Sequence, residues 1–363
     1  MDGRPAQGWC GLGQHLQQVR PHQPVRGLQG VRLRPGGWPP RTVRLCHDGS
    51  VPVSTSTRKP AARSTASSRV DVRKTYKLYI GGKFPRSESG RSYEVFSSGR
   101  SPKFLANAAQ GSRKDARDAV VAARKAVSGW AGATAYNRGQ VLYRVAEVME
   151  SRRSQFVAEV QAAEGLTAAR AEANVSAAID RWVWYAGWSD KFAQILGGTN
   201  PVAGPFFNIS APEPTGVVAA LAPQGSSLLG LVSVVAPIIV SGNTAVVLAS
   251  QGRPVPAITL AEALATSDVP GGAVNLITGI TSEVAPWLAS HRDVNAIDLT
   301  GAADAPDVVW GDLEAAAAEN LKRVLRPAGS GVMAIEPDFA VEPGLSRIEA
   351  FLETKTVWHP KGI

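Results

Sequence analysis

From Gly216 onward the chain alternates short, almost wholly apolar runs with longer ones of helical period. "GVVAALA" reads as a buried strand, "LLGLVSVVAPIIVSG" as a buried helix closed by a glycine, and "TAVVLAS" as a second strand. "PVPAITLAEALATS" is a helix whose prolines fall at its start, where no amide donor is missed. "GAVNLITG", "SEVAPWLASH" and "VNAIDLTG" continue as strand, helix and strand. Alternation at this short spacing predicts an α/β fold with a doubly wound parallel sheet. Helices on both faces account for strands that lack a polar side.

Upstream the pattern is amphipathic. "SRKDARDAVVAARKAVSGWA" opens with Ser112 as a cap and Asp115 three residues on, and Ala116, Ala119, Val120, Ala123 and Val127 share one helical face. Further helices are expected over 137–164 and 167–192, the second with a core-facing stripe of Trp182, Tyr185 and Trp188. "TYKLYIGGKF" predicts a strand, a Gly-Gly turn and a second strand. Glu159 and Glu164 read as a solvated helix face, and "DLEAAAAENLKR" as a helix with Glu319 and Arg323 paired at i, i+4. The apolar run 228–240 is short of the about 20 residues that span a bilayer, so a buried helix is expected and a membrane is not. No apolar stretch follows the N-terminus, which argues against secretion and for a cytoplasmic protein.

Charge changes the picture only once its position is considered. The 363 residues carry a net charge of +9, but residues 1–74 hold 13 Lys/Arg against 3 Asp/Glu, leaving 26 against 27 for the rest. The folded part is neutral, so no nucleic-acid partner is expected. Both cysteines, Cys10 and Cys46, lie in the basic segment, so the body offers no thiol for catalysis, a disulfide or zinc. His291 and His359 stand alone, without metal-ligand spacing. Residues 51–68 are small, polar and basic, as in a disordered linker.

"LYIGGKF", "AVVAARKAVSGWA", "YAGWSDK", "PEPTGVVAALAP", "SGNTAVVL", "VPGGAVNLITG" and the "LTG" of 299–301 together resemble the cofactor-binding domain of an aldehyde dehydrogenase. "FLETKTVWHPKGI" resembles that family's C-terminal strand, which joins a neighbouring subunit's sheet. The resemblance implies NAD or NADP as cofactor, an oligomer, and cofactor-binding roles for Pro223, Gly279, Thr300 and Gly301. As residue types, the two glycines also suit the strand-end turns themselves.

The family's chemistry needs a Cys nucleophile, a general-base Glu in "ELGGK", and donors to the developing oxyanion. Neither "ELGGK" nor "GQxC" occurs between "LTGAADAP" and "GLSRIEAFLETK", so no catalytic residue is assigned. The family's "PWN" asparagine aligns with Gly225, with Gln224 the nearest amide. Its "KPSE" aligns with Ala249, Ser250, Gln251 and Gly252, and its "TGS" serine with Ala302. Dinucleotide binding is therefore expected to be weak or lost.

The family commonly ends in a segment like FDPTSPFGGYKESGFGREGG. Encoded with GC-rich codons and read one base early, it yields VRPHQPVRGL and QGVRLRPGG, which are residues 19–37. Residues 1–50 are thus expected to be an out-of-frame reading of an upstream aldehyde dehydrogenase gene, with the start near Val51; the other reading is a basic arm. The expected organisation is 1–50 extension, 51–69 linker, 70–301 cofactor-binding domain, 302–346 remnant of the catalytic domain and 347–363 oligomerisation strand. Functionally, this points to a non-catalytic subunit forming a homo-oligomer, or a hetero-oligomer with a full-length aldehyde dehydrogenase. The alternatives are an NAD(P)-dependent oxidoreductase acting on aldehydes and a decaying copy with no stable role.

Overall fold

The computed structural model describes residues 73–330, 333–335 and 337–362, so the extension and linker expected over 1–69 lie outside it. Five parallel strands form the central sheet, in the order Arg323–Leu325, Ala296–Asp298, Val217–Leu221, Thr244–Leu248, Val274–Ile277. Successive side chains leave a strand on opposite faces, and the two faces close two apolar cores. Val218, Ala220, Ala245 and Val247 pack with helices Ala168–Trp188, Leu229–Val240 and Val255–Ala265. Val217, Ala219, Leu221, Val246 and Leu248 pack with helices Arg113–Gly132 and Thr281–Ser290. Every residue of Leu229–Val240 is buried, which is why that helix has no polar stripe.

Helix Arg113–Gly132 begins as its sequence requires. Ser112 N donates to Asp115 Oδ2 at 2.8 Å and Asp115 N donates back to Ser112 Oγ at 3.4 Å. Asp115 also accepts from Ser87 Oγ and Glu88 N, which ties the helix start to the preceding loop.

Other elements differ from the sequence reading. The helix expected over 137–164 is two, Ala135–Ser151 and Arg153–Glu164, broken at Arg152 (φ −109°, ψ 15°). Apolar positions continue across the break, so periodicity did not mark it. The helix expected over 167–192 is Ala168–Trp188, capped by Thr167, with Trp182 and Tyr185 fully buried and Trp188 half-buried. The first hairpin shrinks to strand Thr75–Tyr76 and two isolated bridges, Tyr79 with Leu276 and Ile80 with Lys83. Its turn residues Gly81 and Gly82 sit at φ +60° and +78°. Strands Ser92–Phe96 and Phe104–Ala109 went unread; with Thr75–Tyr76 they form a small separate sheet.

Helix Trp310–Ala318 ends earlier than expected, and Leu321 (φ +58°) turns the chain into the edge strand. Arg323 consequently pairs not with Glu319 but with Glu353, through two hydrogen bonds of 2.6 and 2.9 Å. Beside it, Lys322 is buried, and desolvation lowers its ammonium to about 8. A depressed lysine favours folding above its unfolded value of 10.5 and loses that contribution as pH falls through 8. Lys322→Met is therefore expected to raise stability at pH 7 by about 1–3 kcal/mol, with the gain fading near pH 10.5. Urea unfolding at both pH values checks this; an equal gain at both would rule out desolvation as the cause.

The tail strand Leu352–Pro360 lies antiparallel on Phe206–Pro214 of the same chain, from Leu352 opposite Pro214 to Pro360 opposite Phe206. Gly198–Asn200 takes the far edge of Phe206–Pro214. Among the described residues, nothing pairs with the outer edge of the tail strand.

Candidate functional site

Strand order reverses between Val217–Leu221 and Ala296–Asp298, and in such sheets ligands bind in the crevice beyond the carboxyl ends of the strands. All four residues assigned to the cofactor from sequence lie at that edge. Pro223 follows Val217–Leu221, and its ring meets the start of the next helix so closely that a Cβ on Gly230 would stand 3.0 Å from Pro223 Cγ. Gly279 follows Val274–Ile277 at φ +154°, where a Cβ would come within 3.0 Å of Gly111 N. Thr300 and Gly301 form a 3-10 turn after Ala296–Asp298. A Cβ on Gly301 would collide with the Ala222 carbonyl and lie 2.5 Å from Leu221 O.

The polar groups along this edge bind one another. The Gln224 amide donates to Ala222 O at 3.0 Å, and its Oε1 accepts from Gln251 N at 2.9 Å. Gln251 Oε1 in turn accepts from Thr281 N at 2.9 Å. Ser250 Oγ donates to Gln224 O at 3.1 Å, and Arg253 donates to the carbonyls of Gln224 and Gly225. Three strand-end loops are thereby laced together by Gln224, Ser250, Gln251 and Arg253, immediate neighbours of Gly225, Ala249 and Gly252. The hydroxyl of Thr300 is also engaged, donating to Asp298 Oδ1 at 2.5 Å and accepting from Arg347 at 2.7 Å.

Asp298 has no exposed surface and forms a 2.8 Å ion pair with Arg347, with Thr300 N as a further donor at 2.9 Å. Burial pushes the nearby Tyr185 hydroxyl up to about 12, against the pull of Arg347 and Arg181. Arg181 donates to Ser233 Oγ at 2.7 Å and to the carbonyls of Phe339 and Val341 at 2.9 and 2.8 Å. The segment after residue 336 is thus fastened over helix Leu229–Val240. Two cavities, of about 310 and 210 Å³, both reach Pro337 in this segment. Gly225 and Ser226 line the first, and Thr300, Arg326 and Arg347 the second.

The sequence reading missed most of this chemistry. Glu164 is not simply solvated: its Oε1 accepts from Ser227 N and Oγ at 2.7 and 2.6 Å, at the entry to helix Leu229–Val240. Glu159 is mostly buried, with one carboxylate oxygen lacking a hydrogen-bond partner among the described residues, and burial raises its pKa. Asp298 and Arg347 lie 49 positions apart, and no local spacing links them. The available signal was a lone aspartate closing an apolar strand.

The family model described as "Aldehyde dehydrogenase family" matches residues 84–335. The chain belongs to the aldehyde dehydrogenase family. It is 31% identical over 258 residues to aldehyde dehydrogenase 1A1 of Gallus gallus, covering 70% of this chain and 49% of that one. It is also 31% identical over 295 residues to aldehyde dehydrogenase family 2 member B4, mitochondrial, of Arabidopsis thaliana, covering 79% and 52%. Among solved structures, an NAD+ complex of aldehyde dehydrogenase from Bacillus cereus superposes with a TM-score of 0.65 at 25% identity, over 69% of this chain and 50% of that chain. An Escherichia coli NADP-dependent enzyme shares the fold, with a TM-score of 0.66 at 23% identity over 71% and 52%. The chain spans about half the length of the curated relatives it matches. Among the described residues, no helix is long and apolar enough to cross a membrane.

Proposed function

We propose that this aldehyde dehydrogenase family member is a non-catalytic cytoplasmic subunit that assembles with itself or with a full-length aldehyde dehydrogenase, and that its hold on NAD or NADP is weak or lost. The observation that carries this reading is the lacing of the strand-end loops by Gln224, Ser250, Gln251 and Arg253. A dinucleotide's ribose and phosphates need donors and acceptors turned outward; here these groups are spent on one another. Residues 326–351 alone separate the sheet's edge strand Arg323–Leu325 from the tail strand Leu352–Pro360, too short a stretch for the family's Cys-bearing domain. Pro223, Gly279, Thr300 and Gly301 remain as the walls of the family's cofactor crevice and hold its loops in place.

The assembly surface in this proposal is the three-stranded sheet ending in Leu352–Pro360. Among the described residues no strand pairs with the outer edge of Leu352–Pro360, and Phe207, Ile209, Val357 and Trp358 are exposed on the sheet. Unpaired edges of this kind invite another strand. Native mass measured alone and after co-expression with a full-length aldehyde dehydrogenase tests the reading. A mixed or self-assembled oligomer is expected, lost when Val357→Lys and Trp358→Glu are combined. A monomer in both settings, or aldehyde-dependent reduction of NAD+ by the isolated chain, would contradict it.

A further inference from the structure

A groove of about 580 Å³ runs between the start of helix Arg113–Gly132 and the end of helix Thr281–Ser290, and none of its lining residues is among those of the strand-end crevice. Arg113, Lys114, Arg117, Trp287, His291 and Arg292 line it, with no carboxylate among its lining residues. Lys114 and Arg117 are neutralised locally by Glu88 and Asp118. Arg113 and Arg292 form no ion pair among the described residues. The Arg113 guanidinium instead stacks on the half-exposed Trp287 indole, 3.7 Å from the ring centroid.

Asp115 and Asp118 in the same helix turns, with Glu88, offset Lys114 and Arg117, which leaves Arg113 and Arg292 as the groove's cations without a carboxylate partner among the described residues, and an anion would complete them. Arginine's planar fork matches phosphate bidentately, and an indole offers an aromatic ring a stacking surface. The volume falls within the range of small-molecule sites. From these features we infer that the groove binds a nucleoside diphosphate or triphosphate, phosphates on Arg113 and Arg292 and base against Trp287. This site is separate from the strand-end crevice and does not depend on the function proposed for it.

Equilibrium titration of ADP and of pyrophosphate into the full chain, at low salt and at 0.15 M, tests the inference. Both are expected to bind saturably, ADP more tightly, with affinity falling as salt rises. Arg113→Ala with Arg292→Ala should weaken both by at least about tenfold. Trp287→Ala should remove ADP's advantage over pyrophosphate, and Trp287→Phe should largely restore it. Arg292→Gln, whose side chain makes no hydrogen bond or ion pair among the described residues, substitutes if the double variant does not fold. Absence of saturable binding, ADP no tighter than pyrophosphate, or ADP binding unmoved by the arginine variants would each overturn the assignment.

Discussion

Replacing Arg347 with methionine is expected to destabilise the protein by about 3–5 kcal/mol, the range for removing one partner of a buried ion pair. Asp298 is fully buried, and among the described residues Arg347 is its only cationic partner, the other contacts there being the backbone amide and hydroxyl of Thr300. The variant would leave a carboxylate in an apolar sheet with its charge uncompensated. Thr300 would also lose a donor, loosening the turn that carries Gly301. Urea unfolding of wild type and variant at pH 7 measures the difference. The paired change Asp298→Asn with Arg347→Met should recover most of the loss, because no charge is then stranded. A loss below about 1 kcal/mol for Arg347→Met would mean that the pair is not holding the strand end.

Gly301→Ala should cost about 3 kcal/mol or more, beyond the usual price of an extra methylene in a packed site. The added Cβ meets backbone on two sides, the Ala222 carbonyl and Leu221 O, and neither can rotate away. Relief requires parting strands Val217–Leu221 and Ala296–Asp298 at their carboxyl ends, so chemical denaturation and amide exchange at Ala222 should both report the change. Ala substitution at Gly132, where a Cβ meets nothing within 4 Å, serves as the neutral comparison. Equal effects at the two positions would show that the crevice is wider than described.

The central sheet was legible because its chemistry is local. Strands buried on both faces must be apolar throughout, and the intervening helices are long enough to show their period or, as at 228–240, its absence. The fifth strand, Arg323–Leu325, was not legible: three residues carry no alternation, and they follow a helical pattern that only Leu321's backbone interrupts. The break at Arg152 was hidden for the opposite reason, since both helices present apolar faces to one core. At the site, the family resemblance singled out Pro223, Gly279, Thr300 and Gly301, and the four lie along one edge of the sheet. What those neighbours do was out of reach. Gln224 is, from sequence, the amide nearest the family's asparagine position; in the fold its amide donates to Ala222 O and its Oε1 accepts from Gln251 N, contacts that require two strand ends side by side. Arg347 and Arg181 reach across 49 and 158 positions, distances at which sequence carries no geometric signal.

Titrating NAD+ and NADP+ directly into the purified chain addresses the central claim, that the laced crevice no longer holds a dinucleotide. Loss of two charge-assisted contacts at about 1.5–3 kcal/mol each corresponds to roughly two to four orders of magnitude in affinity. The account predicts no saturable binding in the micromolar range. A site filled at micromolar NAD+ or NADP+ would contradict it.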